Sequence, residues 1–513
     1  MSEDQIIFPN LPIAIAIGGL LVAYYCIGHT SAHYSASVNA PYALTYLKYT
    51  PRWLSNSLYA WDAIGVVEKG YRKFNKEAFK LIRSDVNMVV LPAKHIPELS
   101  SLPIEVASGI KALERDLLGR WTGLHIIIHS RLHHKLVQRR LTPNLSLVIP
   151  GLEEEVTASL NACFPQSYEW TPIKPYYTLL EVSARVSSRV LVGYPMCQDP
   201  TWIDISKNFT ENIFESIVIM RCFPPWLYST LGYLLPSVWR TKGYIKKAQD
   251  LLSPAFAERL KAIDEGTYKP SGSQVDGFTW LAELAEGSER DPTKLAHYEI
   301  LLALASIHTT LLREVNVLYD VMAEPQYIDM LREEIKEVAQ KGWDKTAYGS
   351  LEKLDSVLRE SQRLSPPQSI GLRRIMQQSH VMSDGTVLPK GSYVCVAAYA
   401  IENDPANTRN PEKFDGLRDY DKRRNTPGTT KYQFTSTEPN VLGFGNGKTA
   451  CPGRFFASLA LKAVLVKLLS EYDFMYKDGK KEKPQNILVH EFVFPNRSNE
   501  ILVRKRKGHE APF

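Results

Sequence analysis

A mainly α chain with a small β part is expected from three features of the sequence. From Lys69 to Tyr298 the text reads as helices separated by turns at Pro143, Pro165, Pro195, Pro224-Pro225 and Pro254. A largely apolar run from Tyr298 to Met322 follows a strong helix start, with Asp291 as N-cap and Pro292 at the first helical position, and ends before Pro325. Strand signals gather in VMSDGTVLPKGSYVCVAAYA, with turns at Asp384-Gly385 and Lys390-Gly391.

The first element in chain order is an apolar, uncharged stretch from Leu11 to Ile27, with no Lys or Arg before Lys48. Roughly 17 residues is near the lower limit for a helix that spans a bilayer. A secretory signal peptide is the rival, but it wants a basic start where this chain has Glu3 and Asp4, and Tyr24-Tyr25-Cys26 leads poorly into a cleavage site. Lys48, Arg52 and Lys69 follow the stretch, so the positive-inside rule places the bulk of the chain in the cytosol. No linker divides the remainder, and the organisation expected is a membrane anchor over 1–30 and one catalytic domain over 31–513.

The central helix should be some thirty residues, roughly 45 Å, long. Ile300 to Ile307 is apolar on nearly every side, so this helix should cross the protein's middle, where a large ligand would lie. Amphipathic helices follow over Gln326 to Gln340 and Ser350 to Leu364, the second stopped by Pro366-Pro367. After the strands and a loop-rich stretch from Ala406 to Pro439, the chain returns to a helix near Cys451.

With 513 residues and 44% hydrophobic content, the chain can bury a large core. Its net charge of +6 is modest and its cations are scattered, which argues against nucleic acid as a partner. Six cysteines, without a Cys-x-x-Cys pair or disulfide-like spacing, read as reduced thiols, one of which can be special.

That one is Cys451, in Phe444-Gly445-Asn446-Gly447-Lys448-Thr449-Ala450-Cys451-Pro452-Gly453. Gly445 and Gly447 permit a tight turn against a flat ligand, and Pro452-Gly453 fixes the helix start after the thiol. A thiolate there is stabilised by helix N-terminal amides and can donate to iron. A glycine loop with an ordinary buried Cys is the bland alternative for a lone Gly-x-Gly. The complete string, however, closely resembles the heme-binding loop of the cytochrome P-450 family.

Other segments carry the same resemblance. Glu360 and Arg363, three apart on one helix, match the family's Glu-x-x-Arg motif, part of a core ion-pair network whose third member would be Arg418. Inside the long helix, Ala305-Ser306-Ile307-His308-Thr309-Thr310 is similar to the oxygen-activation motif: Ser306 is the small residue, Thr309 the proton-managing threonine, and His308 stands where the family carries an acid. An imidazole can shuttle protons, or it can hold the helix or pair with a buried carboxylate. The chain departs from the family at Thr449, where Arg or His would hold a heme propionate, and at His134 and Gln138, which replace Trp-x-x-x-Arg. Arg139 or Arg140 could substitute there, and Arg373 and Arg374, on a strand expected after the Pro366-Pro367 break, are candidates for the remaining propionate.

The resemblance implies a cytochrome P-450 fold, with the long helix over heme b and Cys451 as axial ligand of the iron. It implies a monooxygenase taking dioxygen and electrons from NADPH through a cytochrome P-450 reductase, anchored by a single pass in the endoplasmic reticulum membrane with its catalytic domain in the cytosol. Stretches such as FGNGKTACPGRFF and RRLTPNL look most like fungal secondary-metabolism members, including those oxidising diterpenes such as ent-kaurene. An apolar small molecule, terpenoid or related, is then the substrate expected, with membrane lipid as a further partner. Alternatives kept open are a redox-neutral isomerase or dehydratase, a steroid hydroxylase, and a non-enzymatic heme sensor or electron carrier.

Overall fold

The computed structural model describes residues 19, 38–44, 52–74, 76–268 and 276–513. Except for Gly19, the expected anchor over Leu11 to Ile27 lies outside the described residues. The architecture is mostly helical with small sheets, as expected.

Seven helices position the site and are labelled in chain order: α1 (Arg52–Phe74), α2 (Pro175–Leu191), α3 (Pro236–Asp264), α4 (Pro292–Ala323), α5 (Glu352–Leu364), α6 (Arg418–Arg424) and α7 (Arg454–Glu471). The central helix α4 starts where its sequence says it should. Asp291 Oδ1 accepts from the Thr293 N–H at 2.9 Å and Pro292 occupies the first turn. It packs against α2, α3, α5 and α7, and Ile300, Ile307, Leu311 and Val315 are fully buried. Among the described residues α4 is the one helix long and apolar enough to cross a membrane, yet 67% of its most apolar window is buried in protein. Its apolarity therefore serves the core.

Helix α5 begins at Glu352, two residues later than expected, because Ala347–Ser350 forms a separate turn and Leu351 is non-helical (φ −80°, ψ 73°). It ends at Leu364, and Pro366-Pro367 follows.

The main sheet has five strands: β1 (Phe79–Ile82), β2 (Asn87–Leu91), β3 (Ala107–Ser108), β4 (Gly371–Met376) and β5 (Tyr393–Val396), in the order β1-β2-β5-β4-β3. The β2–β5 pair is parallel, with Met88 opposite Tyr393, and β4 runs antiparallel to β5, with Arg374 opposite Val394. A register shift separates Gly371 from Arg374. Burial alternates along β4, so Arg373 and Arg374 leave the strand on opposite faces. The sequence reading anticipates β4 and β5 but not β1, β2 or the C-terminal strands Tyr472–Tyr476 and Ile501–Lys505. Short apolar runs such as NMVVL look alike in a strand and a buried helix.

Candidate functional site

The loop before α7 is closed by its own backbone. The Cys451 N–H donates to the Phe444 carbonyl at 2.7 Å, and the Gly445 N–H donates to the Leu442 carbonyl, also at 2.7 Å. Gly445 (φ +76°) and Gly447 (φ +63°) both sit in the left-handed region, and a Cβ on Gly447 would come within 3.0 Å of Ser100 Cβ. Phe444 meets Phe434 edge-on, ring centres 5.0 Å apart, at the root of the loop.

Cys451 is exposed by accessible surface, yet burial pushes its thiol pKa up. Protein therefore surrounds the residue while part of its surface stays uncovered. The backbone N–H groups of Gly453 and Arg454 and the Arg454 charge oppose the upward shift, as the start of a helix should. The same signature recurs on α4: Ala305 and Thr309 are exposed in the middle of a core helix whose Ile307, His308 and Thr310 are buried. Because α4 packs on α7, these exposed residues belong to neighbouring elements.

These residues fit a heme. Among the described residues no group of three or more His, Cys, Asp or Glu could hold a bare metal ion. A lone thiol in a glycine-lined loop suits a metal whose other positions are filled by a macrocycle, and coordination deprotonates such a thiol outright.

Behind the loop, the structure brings Glu360, Arg363 and Arg418 together. Arg363 donates to Glu360 Oε1 and Oε2 at 2.6 and 2.9 Å, and Arg418 reaches the same oxygens at 3.3 and 3.2 Å. Sequence reasoning missed the neighbour of this triad: Arg359 pairs with Asp419 at 2.9 Å and with Glu438 at 3.0 Å.

Arg373 and Arg374 part company. Arg374, 4% exposed, donates to Thr449 Oγ1 in the cysteine loop, while burial, and then Arg373, lower its pKa to about 10. Arg373 donates to Asp116 Oδ2 at 2.7 Å and joins a buried cluster with Arg83, Arg221, Tyr393 and Glu491. Arg139 is exposed, and Arg140 pairs with Glu283 at 3.1 Å.

Thr309 Oγ1 donates to the Ala305 carbonyl at 2.8 Å. Ser306 is half-buried, with a hydroxyl that donates to Ser187 Oγ of α2 at 3.1 Å. His308 is buried on another side of α4, neither ring nitrogen has a partner among the described residues, and burial lowers its pKa to about 3.

Comparison with known proteins agrees with this geometry: the Cytochrome P450 family description matches residues 70–503, and the chain belongs to that family. Membership implies heme iron, an organic substrate, a redox partner and an oxygen-incorporating oxidoreductase activity. The chain is 36% identical, over 96% of its length and 92% of the relative's, to cytochrome P450 monooxygenase AN1598 of Emericella nidulans. It is 35% identical to cytochrome P450 monooxygenase olcJ of Penicillium canescens, over 98% of this chain and 95% of that one. The ent-kaurene oxidase P450-4 of Gibberella fujikuroi is 31% identical, over 96% and 97%.

Proposed function

We propose that this monooxygenase hydroxylates, or oxidises in several steps, an apolar terpenoid or related fungal metabolite. Its electrons come from NADPH through a membrane-bound cytochrome P450 reductase. The observation that carries the reading is the exposure of Cys451, and of Ala305 and Thr309 in the middle of the otherwise buried helix α4, on elements that pack against each other. The likeness to an ent-kaurene oxidase supports a terpenoid, since ent-kaurene is a diterpene hydrocarbon.

In this reading the Cys451 thiolate would hold the iron of heme b, and the bound group would supply the dioxygen chemistry of a monooxygenase. The chain's own residues do the rest. Arg374, which donates to Thr449, would meet a propionate. Arg139 is a further candidate for a propionate, and Arg373, committed to Asp116, acts from behind the strand. The Glu360–Arg363–Arg418 triad fixes the wall behind the cysteine loop. Ile300, Ile307 and Leu311 exclude water around the pocket, and Thr309 offers a hydroxyl whose proton can turn from the Ala305 carbonyl towards a bound ligand.

Residues 1–30 form the anchor in this proposal, 31–513 form one domain, and the protein sits in the endoplasmic reticulum membrane with its catalytic domain in the cytosol. An exposed aromatic and apolar surface supports it. Trp53 and Trp61 of α1 are exposed, as are Trp226, Tyr233, Leu234 and Trp239, and Asn56 of α1 ties the two regions by donating to the Arg221 carbonyl at 3.0 Å.

The test combines full-length protein, purified reductase and NADPH with a panel of terpene hydrocarbons, followed by product profiling. Substrate-dependent NADPH consumption with an oxygenated product is expected. An isomerised or dehydrated product without NADPH consumption would favour the redox-neutral alternative, and no product at all would favour a heme sensor or electron carrier.

A further inference from the structure

Near its C-terminus the chain carries a basic run, Arg504-Lys505-Arg506-Lys507, that continues the strand Ile501–Lys505 and lies against the loop 166–170. Lys505 fixes it there: its backbone N–H donates to the Ser167 carbonyl at 2.8 Å and its Nζ to Gln166 Oε1 at 2.7 Å. Arg504 lies over the Trp170 ring, 4.5 Å from its centre, and Lys507 over the Tyr168 ring, at 5.3 Å. A pocket of about 470 Å³ is lined by this run, Tyr168, Glu169 and Asp473.

Positive charge is in excess there. The lining holds four Arg and Lys side chains against the two carboxylates of Glu169 and Asp473, a surplus of +2 without counting His509. Asp473 is divided among three guanidinium groups, pairing with Arg332 at 2.8 Å, Arg504 at 3.1 Å and Arg506 at 3.6 Å. Partial burial, and then the charge of Arg332, lower the pKa of Arg506, which marks the crowding of cations.

Two of these cations have a structural task. Arg332 donates to the Leu469 and Tyr472 carbonyls at 2.9 and 2.8 Å, and Arg506 donates to the Ser470 carbonyl at 2.7 Å, so both satisfy the end of α7, where positive charge is favoured. No such task falls to Arg504 and Lys507. Arg504 donates through Nε to Asp473 Oδ2, and its two terminal nitrogens have no hydrogen-bond partner among the described residues. Lys507 has no carboxylate partner among them. Lying over an aromatic face leaves the N–H groups of both side chains free to meet an anion.

We propose that this pocket binds a small soluble ligand bearing a diphosphate. A diphosphate carries charge at two linked points, which suits a surplus of +2 presented by two separate heads, the Arg504 fork and the Lys507 ammonium. Each aromatic platform is already covered by a cation, so neither is free to enter a bilayer. The site stands apart from Cys451, since α7 is 18 residues, roughly 27 Å, long, with Cys451 before its start and Asp473 beyond its end. Its occupancy is independent of the monooxygenase reading.

Isothermal titration calorimetry of the full-length, heme-loaded protein with pyrophosphate should show saturable binding of one ligand per chain, weakened severalfold by added salt. Lys507→Glu should weaken binding at least tenfold and Lys507→Gln severalfold, whereas Glu169→Gln, which removes an opposing charge, should tighten it severalfold. Lys507 and Glu169 are exposed, so all three variants should fold, with an unchanged Soret band as the check. Vesicles of phosphatidylcholine with phosphatidylinositol bisphosphate form a second arm. Absence of saturable pyrophosphate binding, or wild-type affinity in Lys507→Glu, overturns the site. Equal affinity for inorganic phosphate overturns the diphosphate, and capture by vesicles without pyrophosphate binding overturns the soluble ligand.

Discussion

Arg363 grips the Glu360 carboxylate with two nitrogens, at 2.6 and 2.9 Å, and the side chains are 8% and 1% exposed. Removing either partner leaves a charge that water cannot reach. Glu360→Ala and Arg363→Ala should each cost roughly 3–5 kcal/mol, whereas an exposed pair would cost under about 1. Arg363 also donates to the Pro411 carbonyl at 2.7 Å, so its loss frees the segment leading to Arg418 as well. Yield of heme-loaded protein and the denaturant midpoint check this, and normal values in both variants would make the triad dispensable.

Two adjacent arginines should give opposite phenotypes. Arg374 reaches the cysteine loop through Thr449, so Arg374→Ala is expected to fold and to lose heme readily on dilution or competition with apomyoglobin. Arg373 ends on Asp116, whose side chain is fully buried, and Arg373→Ala should lower stability by roughly 1.5–3 kcal/mol, the value of a hydrogen bond to a charged group. Measuring heme retention and unfolding on the same samples separates the two. Equal heme loss in both variants would contradict the division.

The local features were legible in the sequence. An N-cap with a following proline, a glycine loop closed on a cysteine, and an i,i+3 pair each place their partners within a few residues, and each is found where the text puts it. What stayed hidden depends on long-range pairing. Asp116 gathers Arg83, Arg373 and Tyr393 from three separate segments, and Ser183 meets Glu314 across 131 positions of sequence. Helix phase was also unreadable in part. Position 308 lies about 100° round the helix from Thr309, and with apolar residues on nearly every side the pattern does not say which of them stays exposed.

Of the five free cysteines among the described residues, Cys451 is the one expected to give the carbon monoxide Soret band of a thiolate-ligated heme in reduced protein. Cys197 and Cys395 are fully buried and burial pushes both thiols up to about 12, whereas the amides at the start of α7 oppose the same shift at Cys451. Cys451→Ala should abolish the band, while Ala at Cys163, Cys197, Cys222 or Cys395 should preserve it. A thiolate band surviving in Cys451→Ala would assign the ligand elsewhere.

His308 should act on stability and not on proton supply. Its folded-state pKa, lowered to about 3 by burial and then by Arg497, lies below the ordinary imidazole value of about 6.5. The unfolded chain therefore binds a proton that the folded chain refuses, and stability falls as pH drops from about 6.5 towards about 3, by up to about 1.4 kcal/mol per pH unit for one group. Above that window the ring is neutral in both states and contributes no slope. His133, His297 and His490, each lowered to about 4, add slopes of the same sign, so the test must compare single substitutions. His308→Gln should flatten the acid limb of the stability curve while leaving product per NADPH near wild type between pH 7 and 8. His308→Asp should fold less well than Gln, because a carboxylate placed where the imidazole finds no partner must be desolvated or protonated. If His308→Gln instead uncouples NADPH from product and His308→Asp restores coupling, the imidazole carries protons after all, and the burial that should keep it neutral must be relieved during turnover.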